Sequence, residues 1–216
     1  MDNNMREIFS KMFLWLCLGL LVTFGVAYFI QDNEPLINDL FTGGKYLFVW
    51  IAEIVVAIIL SARIHKMKPV TAGILYIIYT ALTGLTFSTI FILYEITSII
   101  YIFGITAIVL LIFGLIGYKT KLDLTKISTF LFMGLIAIII LSIVSVFVDS
   151  VALNLGITIL SLLIFMAYIA YDIHVIKKRL YYTESEDSLA IYGAFQLYLD
   201  FINIFLDLLS LFGKEK

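Results

Sequence analysis

The sequence is poor in charged residues and rich in apolar ones. Asp, Glu, Lys and Arg make up 14% of its 216 residues, against about 25% in soluble domains, whereas hydrophobic residues make up 62%. This composition excludes an ordinary soluble domain and indicates an integral membrane protein with little mass outside the bilayer. The formal net charge of −2 is close to neutral and gives no support for nucleic-acid binding.

Cysteine and proline are also scarce. The single cysteine, Cys17, excludes a disulfide framework and a cysteine-based zinc site, and we interpret it as a small hydrophobic residue of the first apolar run. The two prolines, Pro35 and Pro69, fall at the boundaries of apolar runs, and no Pro-rich or Gly-rich linker divides the chain. The sequence therefore predicts one domain over residues 1–216.

Seven apolar runs are long enough to cross a membrane, which requires about 20 mostly apolar residues. Backbone groups in lipid must be hydrogen-bonded internally, so helices are the only interpretation for runs this apolar. The predicted spans are residues 12–30, 46–62, 72–94, 97–118, 127–148, 151–175 and 189–212. The connections between them are too short for a soluble domain. The predicted fold class is an all-α integral membrane protein with a seven-transmembrane-helix bundle.

The basic residues cluster in alternate connections, which predicts how the chain crosses the membrane. Cytoplasmic connections carry an excess of Lys and Arg. One set of connections holds eleven of the 14 basic residues, namely Arg6, Lys11, Arg63, Lys66, Lys68, Lys119, Lys121, Lys126, Lys177, Lys178 and Arg179. We expect a multi-pass protein of the plasma or inner membrane with a cytoplasmic N-terminus and, if all seven spans cross, a C-terminus outside.

Two aspartates interrupt the last two apolar runs. Asp172 lies in Ala-Tyr-Asp-Ile and Asp200 lies in Tyr-Leu-Asp-Phe. A charge at membrane depth costs roughly 2.5–3.5 kcal/mol on insertion scales, so such a residue usually faces a protein interior or a water path. Glu186, in the turn at residues 183–188, is the sequence midpoint of the two acids. An antiparallel hairpin about this turn places the two carboxyl groups level, near the cytoplasmic end.

Two neighbouring carboxyl groups in a medium of low dielectric constant cannot both ionise without a large cost in free energy. Their protons are expected to leave in two separate steps, with one proton shared near neutral pH. Asp172 and Asp200 are therefore candidate pH sensors. The alternative is that each acid pairs separately with a basic side chain.

Polar residues follow one face of the last span. A stripe of this kind cannot face lipid, so this helix is expected near the centre of the bundle. Its members are spaced four, three, four and three residues apart: Gln196, Asp200, Asn203, Asp207 and Ser210. Asn203 and Asp207 are candidates for an ion path. The alternative is a stripe of hydrogen bonds that only holds the helices together.

Other polar residues of the spans are open to two interpretations. Glu53, in the middle of span two, is either a stop on an ion path or a hydrogen-bonded contact between helices. Arg63 ends that span and either pairs with one aspartate or is an ordinary interfacial residue. His65 and His174 are expected to be solvated or interfacial. Span three carries small and hydroxyl residues that we interpret as packing residues: Thr80, Thr83, Gly84, Thr86, Ser88 and Thr89.

Residues 167–173 (Ala-Tyr-Ile-Ala-Tyr-Asp-Ile) and residues 196–209, which include Tyr-Leu-Asp-Phe-Ile-Asn, resemble the Bax inhibitor family, also called the transmembrane Bax inhibitor motif family. Residues 61–72 and 79–86 are similar to the second and third helices of that family. The resemblance covers essentially the whole chain. The short N-terminus and minimal loops resemble those of a bacterial member.

The resemblance implies a seven-helix bundle with the last helix near its centre and a pH-sensitive calcium leak gated by a di-aspartyl pair. At matching positions, Asp172 and Asp200 would be that pair, and Arg63 the basic latch. Glu53 matches an acidic position on the second helix. Calcium and protons are then the ions handled, with transient calcium binding at Asp172, Asp200 and Glu53, no tight metal site and no cofactor.

Three other functions stay open. The resemblance also implies a non-transporting regulator that binds a membrane protease or a cell-death or stress protein. A proton-coupled calcium exchanger is a close variant of the channel. An intramembrane aspartyl protease would use the same two aspartates, but its Gly-x-Gly-Asp motif is absent because Tyr198 and Leu199 precede Asp200. We therefore expect no enzymatic activity.

Overall fold

The described part of the chain is almost entirely α-helical. The computed structural model describes residues 3–41, 44–64, 67–148, 150–180 and 185–216, with the backbone alone at residues 3, 34 and 39–41. Its helices are α1 Asn3–Ile30, α2 Glu34–Phe41, α3 Lys45–Arg63, α4 Pro69–Leu93, α5 Ile96–Lys119, α6 Ser128–Ser145, α7 Val151–Arg179 and α8 Glu186–Phe212. Seven of them, all except α2, are long and apolar enough to cross a membrane. The predicted all-α, seven-span fold class is confirmed.

The structure departs most from the prediction at its first two helices. Helix α1 begins well before residue 12, because Met5 and Ile8 continue its apolar face and are buried. No helix is predicted for the connection that contains α2. Its N-terminus is capped by Asn33, whose Oδ1 accepts a hydrogen bond of 3.2 Å from the Leu36 N–H. Pro35, in the first turn of α2, fits this position because its missing N–H would have no partner there.

The turns on either side of α7 lie partly outside the described residues. The hairpin predicted at Asp149 and Ser150 includes one such residue, Asp149, and α6 already ends at Ser145. The turn between α7 and α8 includes residues 181–184, which are likewise outside, as is His65. On the described side of the first turn, the Ser150 hydroxyl accepts a hydrogen bond from the Leu153 N–H and caps α7.

The chain divides into two compact units. The first consists of Met1–Ile96, Tyr182–Tyr198 and Glu215–Lys216, and the second of Thr97–Tyr181 and Leu199–Lys214. Helix α8 therefore supplies its first half to one unit and its second half to the other. The prediction of a single domain stays a prediction.

Small residues let helices approach closely within the first unit. A Cβ atom on Gly84 of α4 would lie 2.8 Å from the Thr23 carbonyl oxygen of α1, and one on Gly73 would meet the ring of Trp15 at 2.8 Å. The interpretation of Gly84 as a packing residue is confirmed. Aromatic rings fill the space around these contacts, with Tyr79 packed edge-on against Phe195 and Tyr198.

The second unit contains an even closer approach between α5 and α7. A Cβ atom on Gly117 would lie 2.2 Å from the Ala170 carbonyl oxygen. Only a residue without a side chain lets the two backbones meet here. Ala170 precedes Asp172 by two residues, so this contact fixes the part of α7 that carries the aspartate. Phe103 of α5 packs against Phe201 of α8 in the same unit, with ring centroids 5.1 Å apart.

Helix α8 is the most buried of the spans. In its apolar stretch 72% of the residues are buried, against at most 44% in any other span. Its packed face is aromatic and aliphatic, since Phe195, Tyr198, Ile204 and Phe205 have no exposed surface. The predicted central position of the last helix is confirmed.

Replacing Gly117 by alanine is expected to destabilise the protein. The added methyl group overlaps the Ala170 carbonyl oxygen, so α5 must move away from α7. The expected cost is about 1–3 kcal/mol, seen as a lower thermal midpoint of the detergent-purified protein.

Gly104→Ala is the matched control on the same helix, because a Cβ atom there meets nothing within 4 Å. This variant is expected to keep or raise the midpoint, since alanine is the better helix former. Equal midpoints for the two variants would contradict the close contact at Gly117.

Candidate functional site

Helices α7 and α8 bring the two predicted aspartates into direct contact. Asp172 and Asp200 are each only 4% exposed, and their side chains are hydrogen-bonded to each other. A hydrogen bond between two carboxyl groups needs a proton on one of them, because a carboxylate only accepts. The buried Asp200 Oδ2 has no hydrogen-bond partner among the described donor groups, which favours a proton held by the pair.

Two residues of α7 add to the environment of this pair. The Arg179 guanidinium, seven residues after Asp172, interacts electrostatically with its carboxyl group. Tyr168, one turn before Asp172, interacts electrostatically with both aspartates. The sequence pattern did not identify either residue as part of the site. From the sequence, Arg179 belongs to the basic cluster after span six, and Tyr168 is one of the apolar residues of that span. Their spacing of seven and four residues from Asp172 is the signal that places them on its face.

The polar stripe of α8 lies on its less buried side. Gln196, Asn203 and Asp207 are partly exposed and Ser210 is exposed, whereas Asp200 is buried. The Asn203 amide donates a hydrogen bond of 2.7 Å to the Leu199 carbonyl oxygen of its own helix. The stripe thus has one fully enclosed member, Asp200, followed by polar groups that retain access to the outside of the protein.

A second contact between α7 and α8 involves Asp207. Its side chain interacts with that of Ser161, which is 6% exposed. One carboxyl oxygen, Oδ2, is buried and has no hydrogen-bond partner among the described residues. Asp200 and Asp207 are seven residues apart, or about 10 Å along the helix axis. The α7–α8 contact therefore carries two acidic positions at different depths, and Ser161 is a polar partner that the sequence pattern missed.

Glu53 makes a hydrogen-bonded contact between α3 and α4. Its Oε1 accepts a hydrogen bond of 2.7 Å from the Thr83 hydroxyl, and its Oε2 accepts one of 3.1 Å from Thr86. These two threonines, interpreted as packing residues from the sequence, therefore also bind this partly exposed acid. Their spacing of three residues could have indicated this, because it places both hydroxyl groups on one face of α4.

Arg63 lies in the last turn of α3 and is exposed. It belongs to the first unit, as Glu53 does, whereas Asp172, Asp200, Asn203 and Asp207 belong to the second. The predicted pairing of Arg63 with an aspartate stays a prediction. Among the described residues, no group of three or more His, Cys, Asp or Glu side chains converges on one point.

His174 is buried, contrary to its expected solvated or interfacial position. It is 8% exposed, because the connection after α5 folds back over the end of α7. Neither ring nitrogen has a hydrogen-bond partner among the described residues, and Nε2 lies 3.6 Å from Asp123 Oδ1. The Lys178 ammonium donates a hydrogen bond of 2.7 Å to the same oxygen.

Asp123, His174 and Lys178 form a cluster at the C-terminal end of α7, the Asp123 cluster. The Asp123 carboxylate also accepts hydrogen bonds from the backbone and hydroxyl groups of Thr125, at 3.2 and 2.6 Å, and so caps a short 3₁₀ helix, Leu124–Ile127. The Lys178 ammonium, followed by Thr125, holds the pKa of Asp123 well below its usual range. Asp123 therefore stays ionised near neutral pH.

Comparison with known proteins places the chain in a family. The family model described as "Inhibitor of apoptosis-promoting Bax1" matches residues 5–216. The chain belongs to this Bax inhibitor family. The family identified from the residues around Asp172 and Asp200 is thereby confirmed, and the match includes every candidate site residue named above.

Relatives from distant bacteria match over nearly their whole length. The inner membrane protein YbhL of Escherichia coli K12 is 36% identical, over 99% of this chain and 94% of its own. An uncharacterized protein of Borreliella burgdorferi is also 36% identical, over 98% and 93%. An uncharacterized membrane protein of Streptococcus pyogenes serotype M1 is 31% identical, over 99% and 95%. Each alignment thus covers more than nine-tenths of both this chain and the relative.

Replacing Asp123 by asparagine is expected to lower the thermal midpoint at neutral pH, because Lys178 loses its carboxylate. Since folding lowers the pKa of Asp123, its stabilising effect is complete above the ordinary carboxyl pKa of 3.8. The effect is lost as the pH falls below that value. We therefore expect the difference in midpoint between the parent protein and Asp123→Asn to be large at neutral pH and to shrink under acid conditions.

The control is Asp32→Asn, which changes an exposed acid in the connection after α1. It is expected to leave the midpoint unchanged at both pH values. A difference for Asp123→Asn that persists unchanged well below the ordinary carboxyl pKa would contradict the ion pair with Lys178.

Proposed function

We propose that this protein is a pH-sensitive calcium leak channel, closed while Asp172 and Asp200 share a proton. The observation that carries the proposal is the hydrogen bond between these two buried carboxyl groups. The contact holds only while a proton lies between them. When the proton leaves, two negative charges are in contact in a medium of low dielectric constant, and their repulsion separates α7 from α8 at this end.

The stripe of α8 supports an ion path beyond this gate. Asn203 and Asp207 are polar, partly exposed and inside a membrane span. Polar groups exposed at that depth are tolerated where they line water. Calcium prefers oxygen ligands, and a leak needs separate weak sites so that the ion leaves as readily as it enters. Asp200 and Asp207, one above the other, meet that requirement.

The first unit contributes the remaining proposed roles. We assign Glu53 to a further transient oxygen site, because its carboxyl group is held at membrane depth by two hydroxyl groups. Arg63 is assigned to a basic latch on the strength of the resemblance and its position at the end of α3. Calcium is the permeant ion in this scheme, and no resident cofactor and no enzymatic activity are proposed.

We place the protein in the inner membrane, as the name of the Escherichia coli relative states for that protein. The Lys and Arg asymmetry orients the N-terminus to the cytoplasm and the C-terminus outside. The Asp172–Asp200 pair then lies near the cytoplasmic end, where it would sense cytoplasmic pH.

A second candidate function is regulation without transport. The family description names an inhibitor of a cell-death protein, which favours a role in binding another membrane protein. The aspartate pair would then switch a binding surface between two conformations. A membrane protease or a stress protein is the expected class of partner. A proton-coupled exchanger would use the same pair, with calcium flux that saturates and moves protons in return.

Calcium flux through purified protein in liposomes tests the channel. We expect flux to rise with pH in the parent protein, because the pair loses its proton. In Asp172→Asn and in Asp200→Asn, the asparagine amide donates to the remaining carboxylate without needing a proton. Each variant is therefore expected to show low flux that no longer depends on pH.

His174→Gln is the control for pH sensing, because it removes the buried histidine of the Asp123 cluster and leaves both aspartates. It should keep the pH dependence. If both aspartate variants conduct calcium with unchanged pH dependence, the aspartate pair is not the gate. If the parent protein conducts at no pH yet co-purifies with a membrane protease, the regulator is the better assignment.

Asp207→Asn tests the path separately from the gate. Because Asp207 contacts Ser161 and lies about 10 Å from Asp200 along α8, its charge is expected to affect ion occupancy and not gating. Flux at high pH should fall several-fold while the pH midpoint stays unchanged. Ser161→Ala, which keeps the acid, is the matched control and should retain most of the flux. A shifted midpoint in Asp207→Asn would place this residue in the gate instead.

A further inference from the structure

The first unit contains an apolar groove between α1, α4 and the first turns of α8. Its volume is about 590 Å³. Of the ten described residues that line it, nine are apolar or glycine, and the tenth is Asp187. Val70 and Ile74 line the groove and are exposed, so it opens to the surroundings of the helices. None of its lining residues belongs to the proposed gate or ion path.

Trp15 is held in place as one wall of the groove. A Cβ atom on Gly73 would lie 2.8 Å from the Trp15 ring, so the glycine lets this ring lie directly against α4. The ring packs edge-on against Tyr76, with centroids 6.0 Å apart, and the Tyr76 hydroxyl donates a hydrogen bond of 3.1 Å to the Trp15 carbonyl oxygen. The groove therefore has a wall fixed by packing, unlike a chance gap between surface side chains.

The length and width of the groove select an extended chain as its occupant. Along α4 it runs from Pro69 to Ile78, or about 13 Å at 1.5 Å per residue, and one leaflet of the hydrocarbon core is about 15 Å thick. Its volume over that length gives a mean cross-section of about 44 Å². An α-helix about 10–12 Å across needs roughly 80 Å² or more. The groove therefore fits acyl chains of one leaflet and is too narrow for a helix of another protein.

The charged residue of the groove lies at one end of it. The Ser188 hydroxyl donates a hydrogen bond of 3.4 Å to the Met67 carbonyl oxygen, which places the start of α8 beside the start of α4. Asp187, which is exposed, is therefore at the Pro69 end. In the proposed orientation this end faces the cytoplasm, at the level of the lipid headgroups.

The ion pairs of Lys11 define the chemistry of this end. The Lys11 ammonium contacts Asp187 Oδ1 at 2.7 Å and Glu7 Oε1 at 3.0 Å, so two acids share one base and a negative charge is left over. An ammonium has three hydrogens and these two pairs use two of them, whereas a carboxylate has about four acceptor positions. The end of the groove can thus both accept from a further ammonium, at Asp187, and donate to a phosphate, from Lys11.

We propose that this groove binds a phospholipid of the cytoplasmic leaflet whose zwitterionic headgroup ends in a primary ammonium, the class of phosphatidylethanolamine. Its acyl chains lie along α4 beside Trp15, its ammonium donates to Asp187, and its phosphate accepts from Lys11. An anionic headgroup would add negative charge to an end that already has an excess of it. The quaternary ammonium of phosphatidylcholine has no N–H to donate to the carboxylate.

The two tryptophans of the chain provide the test, because Trp15 lines the groove and Trp50, half exposed on α3, does not. Trp50→Phe leaves Trp15 as the fluorescent reporter, and Trp15→Phe leaves Trp50 as the matched control. Each variant is reconstituted in phosphatidylcholine vesicles with a small fraction of phosphatidylethanolamine carrying brominated chains, which quench tryptophan on contact. We expect Trp15 to be quenched several-fold more than the mole fraction of this lipid predicts, and Trp50 in proportion to it. Brominated phosphatidylcholine or phosphatidylglycerol at the same fraction should quench Trp15 only in proportion.

Two pairs of variants, made with Trp15 as the reporter, separate the chain site from the headgroup site. Ile74→Phe narrows the groove at an exposed position and should reduce the excess quenching, whereas Ile92→Phe changes an exposed residue of α4 outside the groove and should not. Asp187→Asn removes the charge that binds the ammonium and should abolish the preference for phosphatidylethanolamine. Glu7→Gln removes the other acid paired with Lys11, leaves the groove lining intact and should retain that preference.

Three results would overturn the lipid site, and none of them depends on calcium flux. Quenching of Trp15 in proportion to mole fraction by all three lipids would mean that only the ordinary lipid shell contacts the groove. A preference for phosphatidylglycerol, or a preference for phosphatidylethanolamine that survives in Asp187→Asn, would contradict the headgroup assignment. If no lipid quenches Trp15 while Trp50 is quenched, a second copy of the chain or another protein covers the groove instead.

Discussion

The structure depends on one constraint: an acid inside a membrane span must be satisfied by a partner within the protein. Water is not available there to solvate a charge, so an unpaired carboxylate costs several kcal/mol. The acids inside the spans have such partners. The buried Asp172 and Asp200 contact each other, the partly exposed Asp207 interacts with Ser161, and the partly exposed Glu53 accepts hydrogen bonds from two threonines. The helix contacts at these points are therefore tied to protonation as well as to packing.

Close helix contacts lie beside the polar groups of the spans. Gly117 lets α5 touch the backbone of α7 at Ala170, two residues before Asp172. Gly84 lets α4 touch α1 at Thr23, whose hydroxyl group donates a hydrogen bond to the Thr80 carbonyl oxygen of α4. Packed helix contacts resist gradual deformation and tend to have discrete alternative states. A change of charge at an acid held in such a contact is consequently expected to move a helix, and not only a side chain.

Much of this architecture could be predicted from the residues. The seven spans follow from apolar length, and the level position of Asp172 and Asp200 follows from their equal distance to one turn. The burial of His174 could not be predicted, because it arises when the segment around Asp123, about fifty residues earlier in the chain, folds over α7. The hydrogen bonds from threonine hydroxyl groups to Glu53 could not be predicted either. A threonine in a helix bonds its own backbone or a neighbour, and the pattern of one helix does not distinguish the two.

The sequence by itself determined the fold class, the family and which acids lie at membrane depth, because apolar length and isolated charges are local properties of the chain. The tertiary structure decided the partners: that the two aspartates touch, that Ser161 lies beside Asp207, and that Thr83 and Thr86 donate hydrogen bonds to Glu53. It also decided that the most buried face of α8 is its aromatic one. Partners depend on how helices pack and rotate against each other, and a rotation of one helix changes them without altering a residue.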